Sequence, residues 1–315
     1  MADAGAGRRA GTVDAVLVVL AALGAAVLYA VASVLQQRAA VEQPEDRSLR
    51  LGLLAGLVRR PSWLLGMVAD GGGFVLQFVA LAAGAIALVQ PLLVLGLLFA
   101  LPLGTWVSGQ RLRLADMLAA AAVCAGLATF LDAAAPAAGR AFIPGRTWLV
   151  LLAAGCGLAL VLVLAGRRAG DRARPALLAA GTGVLYGIAA GLTKTTGQLL
   201  ADLGPLALAH WQPYALVVVG GAGLLVGQSA FQAGSLELSL PTMSVTDPVV
   251  SILVGALAFH ETLADSPAAV AAEVGGLVLT VVGVYALARA PAIRAVREQA
   301  PEGAARREPP QAAPG

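Results

Sequence analysis

The sequence predicts an all-α polytopic membrane protein with about nine transmembrane helices. Three observations carry this. The composition is 59% hydrophobic and 12% charged, with a mean hydropathy of +0.83. That is about half the charge of a soluble domain, which holds roughly 25%. The charge is also segregated: residues 15–37, 71–110, 147–166 and 203–236 contain no Asp, Glu, Lys or Arg. A charge-free apolar run of about 20 residues crosses the hydrocarbon core as a helix. Finally, the ten-residue polar/apolar alternation of outer-membrane strands is missing.

The elements follow in order. The first span is 14–36. Arg8 and Arg9 precede an apolar run that is about 22 residues long, beyond the 7–15 of a signal-peptide core, so it reads as a retained helix. Residues 49–58 are apolar but too short to cross. Arg59 and Arg60 close them, and they read as an amphipathic cytoplasmic segment. Spans 62–83 and 85–107 are divided only by Gly84-Ala85, which requires a tight turn. The remaining spans are 114–132, 147–166, 175–197, 213–234, 238–259 and 268–288. Residues 290–315 end in a stretch rich in Pro, Ala, Glu and Arg, and read as a disordered cytoplasmic tail. Cys124 and Cys156 sit in separate apolar runs without ligand-spaced neighbours and read as packing residues.

Nine spans place the termini on opposite sides, and the Lys/Arg count orients them. One side holds Arg8, Arg9, Arg140 and Arg146. The other holds sixteen arginines, in 38–60, at 111 and 113, in 167–174 and in 289–307. This bias predicts a multi-pass cell-membrane protein with the N-terminus outside and the C-terminus in the cytoplasm. The net charge of +3 is then an orientation signal, with no nucleic-acid partner implied. The expected partners are membrane lipid and a small-molecule or ion substrate.

The two halves match. Val27-Leu28-Tyr29-Ala30 recurs as Val184-Leu185-Tyr186-Gly187, Gly84 and Pro91 recur as Gly234 and Pro241, and Gln77 aligns with Gln228. Gly109-Gln110-Arg111-Leu112 aligns with His260-Glu261-Thr262-Leu263. Residues 12–132 therefore form one four-helix repeat and 175–289 a second, joined by the single helix 147–166. The odd helix between them inverts the second repeat. Inverted repeats are a construction of secondary transporters, with the site near the midplane.

Charged residues at membrane depth are functional candidates by default. Asp70 lies about 10 Å into the second span and is followed by Gly71, Gly72 and Gly73. Asp247 is at similar depth in the eighth, next to Pro248, whose ring removes a backbone donor. Each is a candidate for cation, proton or substrate handling, the alternative being a structural partner for a neighbouring helix. Lys194, the only lysine, lies near the outer end of the sixth span. There it is either functional or snorkels to the interface. Its repeat counterpart is Gln37, so the two polar helix ends are candidate inner and outer gates. Gln77, Gln90 and Gln228 either line a cavity or bridge helices. Pro91, Pro241 and Pro248 are candidate helix breaks. Gly183, Gly187 and Gly191, spaced by four, read as a packing seam.

Catalytic patterns are missing, so no enzyme and no cofactor is expected. His260-Glu261 opens like a zinc-protease motif, but residue 264 is Ala. Gly227-Gln228-Ser229-Ala230-Phe231 lacks the closing glycine of a nucleophile elbow. No Walker loop is present. An intramembrane enzyme or lipid-handling protein is the least favoured alternative.

The stretches from Ala87-Leu88-Val89-Gln90-Pro91 through Gly109-Gln110-Arg111-Leu112, and from Ser239-Leu240-Pro241 through Glu261-Thr262-Leu263, resemble the drug/metabolite transporter superfamily with its EamA-like repeats. The likeness runs through nearly the whole chain outside the termini. It implies a secondary transporter or exporter of a small metabolite or ion. The nine-span count and residues 63–112 are similar to the NIPA-like magnesium transporters, which implies a divalent cation as the alternative cargo, held by Asp70 and Asp247. That branch carries a glutamate where Phe74 stands, and lysines where this chain has Gln36-Gln37-Arg38.

Overall fold

The computed structural model describes residues 3–41, 49, 51–99, 113–136, 139, 143–170, 173–233, 236–261, 264 and 266–289. Every regular element among them is helical: α1 (Asp3–Val41), α2 (Leu51–Leu57), α3 (Pro61–Ala83), α4 (Ile86–Val94), α5 (Leu114–Ala134), α6 (Gly145–Arg168), α7 (Arg174–Leu203), α8 (Gln212–Ala233), α9 (Leu236–Ala258) and α10 (Pro267–Ala288). A 3-10 turn, Gly204–Ala209, follows α7. Among the described residues eight helices are long and apolar enough to cross a membrane, with Ile86–Phe99 a shorter apolar one. The chain is thus a multi-pass membrane-embedded protein, its lipid-facing surface supplied by exposed residues such as Val161, Leu164, Val217 and Val218.

The predicted third span, 85–107, is described only to residue 99. Its helix pauses at Leu95, whose N–H turns back to the Leu92 carbonyl at 3.1 Å. Gly96 follows, and a Cβ there would sit 2.9 Å from the Ala26 carbonyl oxygen of α1. The turn at 109–112, the tail 290–315 and the side chains of Arg8, Arg9 and Gln37 lie outside the described residues.

Two expectations are corrected. The prolines do not break their helices: Pro91 lies inside α4, and Pro241 and Pro248 both lie inside an uninterrupted α9. Each removes one backbone donor without ending its helix. The sixth span is longer than 175–197, because its polar stretch Thr193–Thr196 is packed inside protein, so α7 runs on to Leu203 and stops at Gly204, φ +56.

Packing places α7 at the centre, with nearly every residue from Leu178 to Gly197 buried, and α6 at the periphery, with Leu149, Val150, Leu160 and Val161 exposed. α1 runs along α3, α5 along α10, and α7 between α8 and α9. Cross-contacts join α3 to α7, α1 to α8 and α4 to α9. The seven-residue α2 docks on α8 and buries Leu53 and Leu57 completely.

Small residues set the closest approaches. On α7, a Cβ at Gly183 would meet Thr246 Cβ at 2.7 Å and one at Gly187 would meet Val250 Cβ at 2.7 Å. One at Gly191 would meet Val254 Cγ1, also at 2.7 Å. All three glycines therefore face α9. Without lipid-driven hydrophobic attraction, such close contacts supply the cohesion between membrane helices.

Candidate functional site

Three polar clusters lie along the bundle. The central one begins with two tyrosines. Tyr29 of α1 lies over Gly73 of α3, where a Cβ would be 2.9 Å from its ring. Tyr186 of α7 lies over Gly223 of α8, with the corresponding distance 2.6 Å. Glycine is required at both positions because the ring occupies the space a side chain would take. The Tyr29 hydroxyl donates to Gln77 Oε1 on α3. Both tyrosine hydroxyls lie within electrostatic range of Asp70 and of Asp247. Asp247 accepts a 3.0 Å hydrogen bond from Ser251 Oγ, one turn on in α9. The two aspartates, from α3 and α9, are thus brought to one region through the tyrosine pair.

The second cluster lies at the end of α1 that carries Arg38. Gln228 of α8, 1% exposed, donates through Nε2 to Gln36 Oε1 at 2.6 Å and accepts from Trp63 Nε1 at 3.3 Å. Gln228 therefore bridges α8 to both α1 and α3. Gln36 in turn reaches Met67 Sδ at 3.6 Å.

The third cluster lies at the opposite end and is charged. Lys194 is 2% exposed, so it does not snorkel. Its Nζ donates to Glu261 Oε1 at 2.5 Å and to the Gly84 carbonyl at 3.1 Å, and it sits 5.0 Å from the Phe259 ring centroid. Glu261 also accepts from Ile86 N at 2.8 Å and Ala87 N at 3.0 Å, which caps the start of α4. That is the favourable place for a carboxylate, where unpaired N–H groups and the helix dipole converge. The chain presents Glu261 by turning at His260, φ 52, with Glu261 N returning to the Gly255 carbonyl at 3.1 Å. Trp148 and Phe259 close over Gly191 beside the pair.

Gln90, 1% exposed, has no hydrogen-bond partner for either amide atom among the described residues. Among those residues no lysine or arginine pairs with Asp70 or Asp247, and no group of three or more His, Cys, Asp or Glu converges. His210 and His260 are exposed.

Sequence reasoning passed over the roles of Tyr29 and Tyr186, which it read only as repeat markers, and of Glu261, which it read as a repeat marker, as part of an incomplete zinc-protease motif and as part of the transporter-like stretch. The recurrence of Tyr in Val-Leu-Tyr was the available signal. It also passed over Glu273, a carboxylate inside α10 with a buried, unpartnered Oε1, although the same charge-in-a-span rule applies to it.

No family model matches the sequence, and no solved structure matches it. The chain is 32% identical over 246 residues to an uncharacterized protein of Corynebacterium glutamicum, an alignment covering 78% of this chain and 85% of the relative.

Proposed function

The chain belongs to one family with that uncharacterized Corynebacterium glutamicum protein, and we propose that it is a secondary transporter that moves a small metabolite or ion by rocking two inverted four-helix repeats. The observation that carries this is the central cluster: Tyr29 and Asp70 from the first half, Tyr186 and Asp247 from the second, with each tyrosine within electrostatic range of both aspartates. A site shared between two halves is what alternating access needs.

Reciprocal contacts support the repeats. Tyr29 on Gly73 has its counterpart in Tyr186 on Gly223. Ala26 against Gly96 has its counterpart in Gly183 against Thr246. The α5–α10 crossing is self-reciprocal: Gly126 meets Gly276 and Thr280, and Gly276 meets Gly126 and Phe130. Contacts of this form arise where two copies meet across a two-fold axis. The positive-inside bias puts the Arg38 end in the cytoplasm and the Lys194 end outside.

The charges inside the bundle favour a cationic cargo or coupling ion. The charge of Lys194 is matched by Glu261, which leaves the two central aspartates without a fixed cation among the described residues. Carboxylates at membrane depth stay ionised only when paired, so a mobile cation or a proton completes this site.

The test is flux into proteoliposomes with a panel of amines, amino acids, nucleosides and divalent ions, for wild type, Asp70→Asn and Asp247→Asn. At least one solute is expected to move in wild type and to slow at least about tenfold in each variant, a barrier change of about 1.4 kcal/mol. Absence of movement under every imposed gradient overturns the reading. A response to divalent ions alone identifies the magnesium-like alternative.

A further inference from the structure

The Lys194–Glu261 pair does more than fill a hole. Four segments meet at it: the α3–α4 turn through Gly84, the start of α4 through Ile86 and Ala87, α7 through Lys194, and the chain after α9 through Glu261. The first two belong to the N-terminal half and the last two to the C-terminal half. The pair is therefore a bond between halves, at one end of the bundle only.

The opposite end is built differently. There Gln36, Gln228 and Trp63 join α1, α8 and α3 through neutral groups. Gln36 lies seven residues beyond Tyr29 and Lys194 eight beyond Tyr186, so the two clusters flank the centre at comparable distances along equivalent helices. The Gln36–Gln228–Trp63 bonds are neutral, and the Lys194–Glu261 bond is ionic.

Resting on the transporter reading, we propose that Lys194 and Glu261 form the outer gate: an ionic lock whose opening admits water and cargo to the central site from the outside. Paired and 2% and 1% exposed, the two charges satisfy each other, and neither can be left behind in the low-dielectric interior when the halves part. Both must reach water together. Glu261 must at the same moment release two backbone donors and Lys194 a carbonyl. The gate is consequently two-state, held shut by several contacts that break as a unit, and Phe259 and Trp148 beside it keep water out while it is shut. The Gln36, Gln228 and Trp63 bonds strand no charge when they part.

The test uses the full chain with Cys124 and Cys156 replaced by serine and a reporter at Ala190→Cys, one turn toward the centre from Lys194 and 2% exposed. A membrane-impermeant maleimide is applied from either side of the membrane, with flux measured on the same preparations. Outside labelling is expected to be slow in the parent and at least tenfold faster with Lys194→Gln/Glu261→Gln, which removes both charges and strands neither. Unchanged labelling in a double variant that is folded by size exclusion overturns the gate.

A second arm does not depend on that variant folding. A Cβ at Gly197 would lie 2.8 Å from Ala82 Cβ, between α7 and α3 near the same end, and opening by about 1 Å reaches the Cβ spacing of a disulfide. Oxidised Ala82→Cys/Gly197→Cys is expected to lose flux and to regain it on reduction. Crosslinked protein that transports as fast as reduced protein overturns the gate. Faster labelling in the double variant of a wild type that moves no solute leaves the gate standing and sinks the transport reading, so the two failures are distinguishable.

Discussion

Gly126 of α5 and Gly276 of α10 meet through each other's backbones: a Cβ on either would stand 2.6 Å from the carbonyl oxygen of the other. Neither can accept a side chain without parting the helices. The contact is also reciprocal, with Thr280 N 2.6 Å from a Cβ at Gly126 and Phe130 N 2.7 Å from one at Gly276.

Valine at either glycine is therefore expected to destabilise the detergent-solubilised protein by about 1–3 kcal/mol, the usual cost of overpacking. Thermal melting measures it. The two substitutions should act alike, and the pair together should cost less than their sum, because one displacement relieves both. A Gly276→Val protein that melts like wild type would show that the crossing is looser than described.

Alanine at Gly73 or Gly223 acts on the centre. The new methyl would lie 2.9 Å from the Tyr29 ring or 2.6 Å from the Tyr186 ring, so the tyrosine must move. A shift of about 1 Å at a site can cost up to about a hundredfold in rate, and transport is expected to fall at least tenfold in both variants. Comparing flux with melting temperature separates a displaced site from an unfolded one. Full transport in both would remove the tyrosines from the site.

Gln228 is the keystone of the cluster at the Arg38 end. Gln228→Leu leaves Gln36 Oε1 and Trp63 Nε1 without the partners they have now. Each stranded buried group costs about 1–3 kcal/mol, and the loss should appear in chemical denaturation. Gln36→Leu/Gln228→Leu, which removes two polar partners together, should cost less than the sum of the single changes.

Topology is tested independently of cargo. A fluorescent-protein fusion after Arg289 is expected to fluoresce, as cytoplasmic fusions do, and an export-dependent phosphatase at the same point to stay inactive. A phosphatase inserted before Ser266, the N-cap of α10, should be active. The reverse pattern would exchange inner and outer ends throughout.

Much of this protein was legible without coordinates, because transfer into lipid depends on composition alone. Apolar runs of spanning length, charge-free or holding only one or two charges, placed α1, α3, α5, α6, α8, α9 and α10 within a few residues, apart from the long N-terminal start of α1. The same logic marked Asp70, Asp247 and Lys194 as costly and therefore worth explaining. It did not reveal what each residue faces, since hydropathy is blind to direction around a helix. Lys194 read equally well as a snorkelling side chain until packing put it at 2% exposure against Glu261, 67 positions away. Glu261 read as part of a repeat motif with no partner assigned, yet the left-handed step at His260 turns it inward to cap α4. The prolines read as breaks, because sequence counts the lost donor, yet α9 continues through Pro241 and Pro248. The sequence by itself determined which segments enter the membrane. Only the tertiary structure decided which polar groups meet there, because that depends on helix rotation and on contacts between residues far apart in the chain.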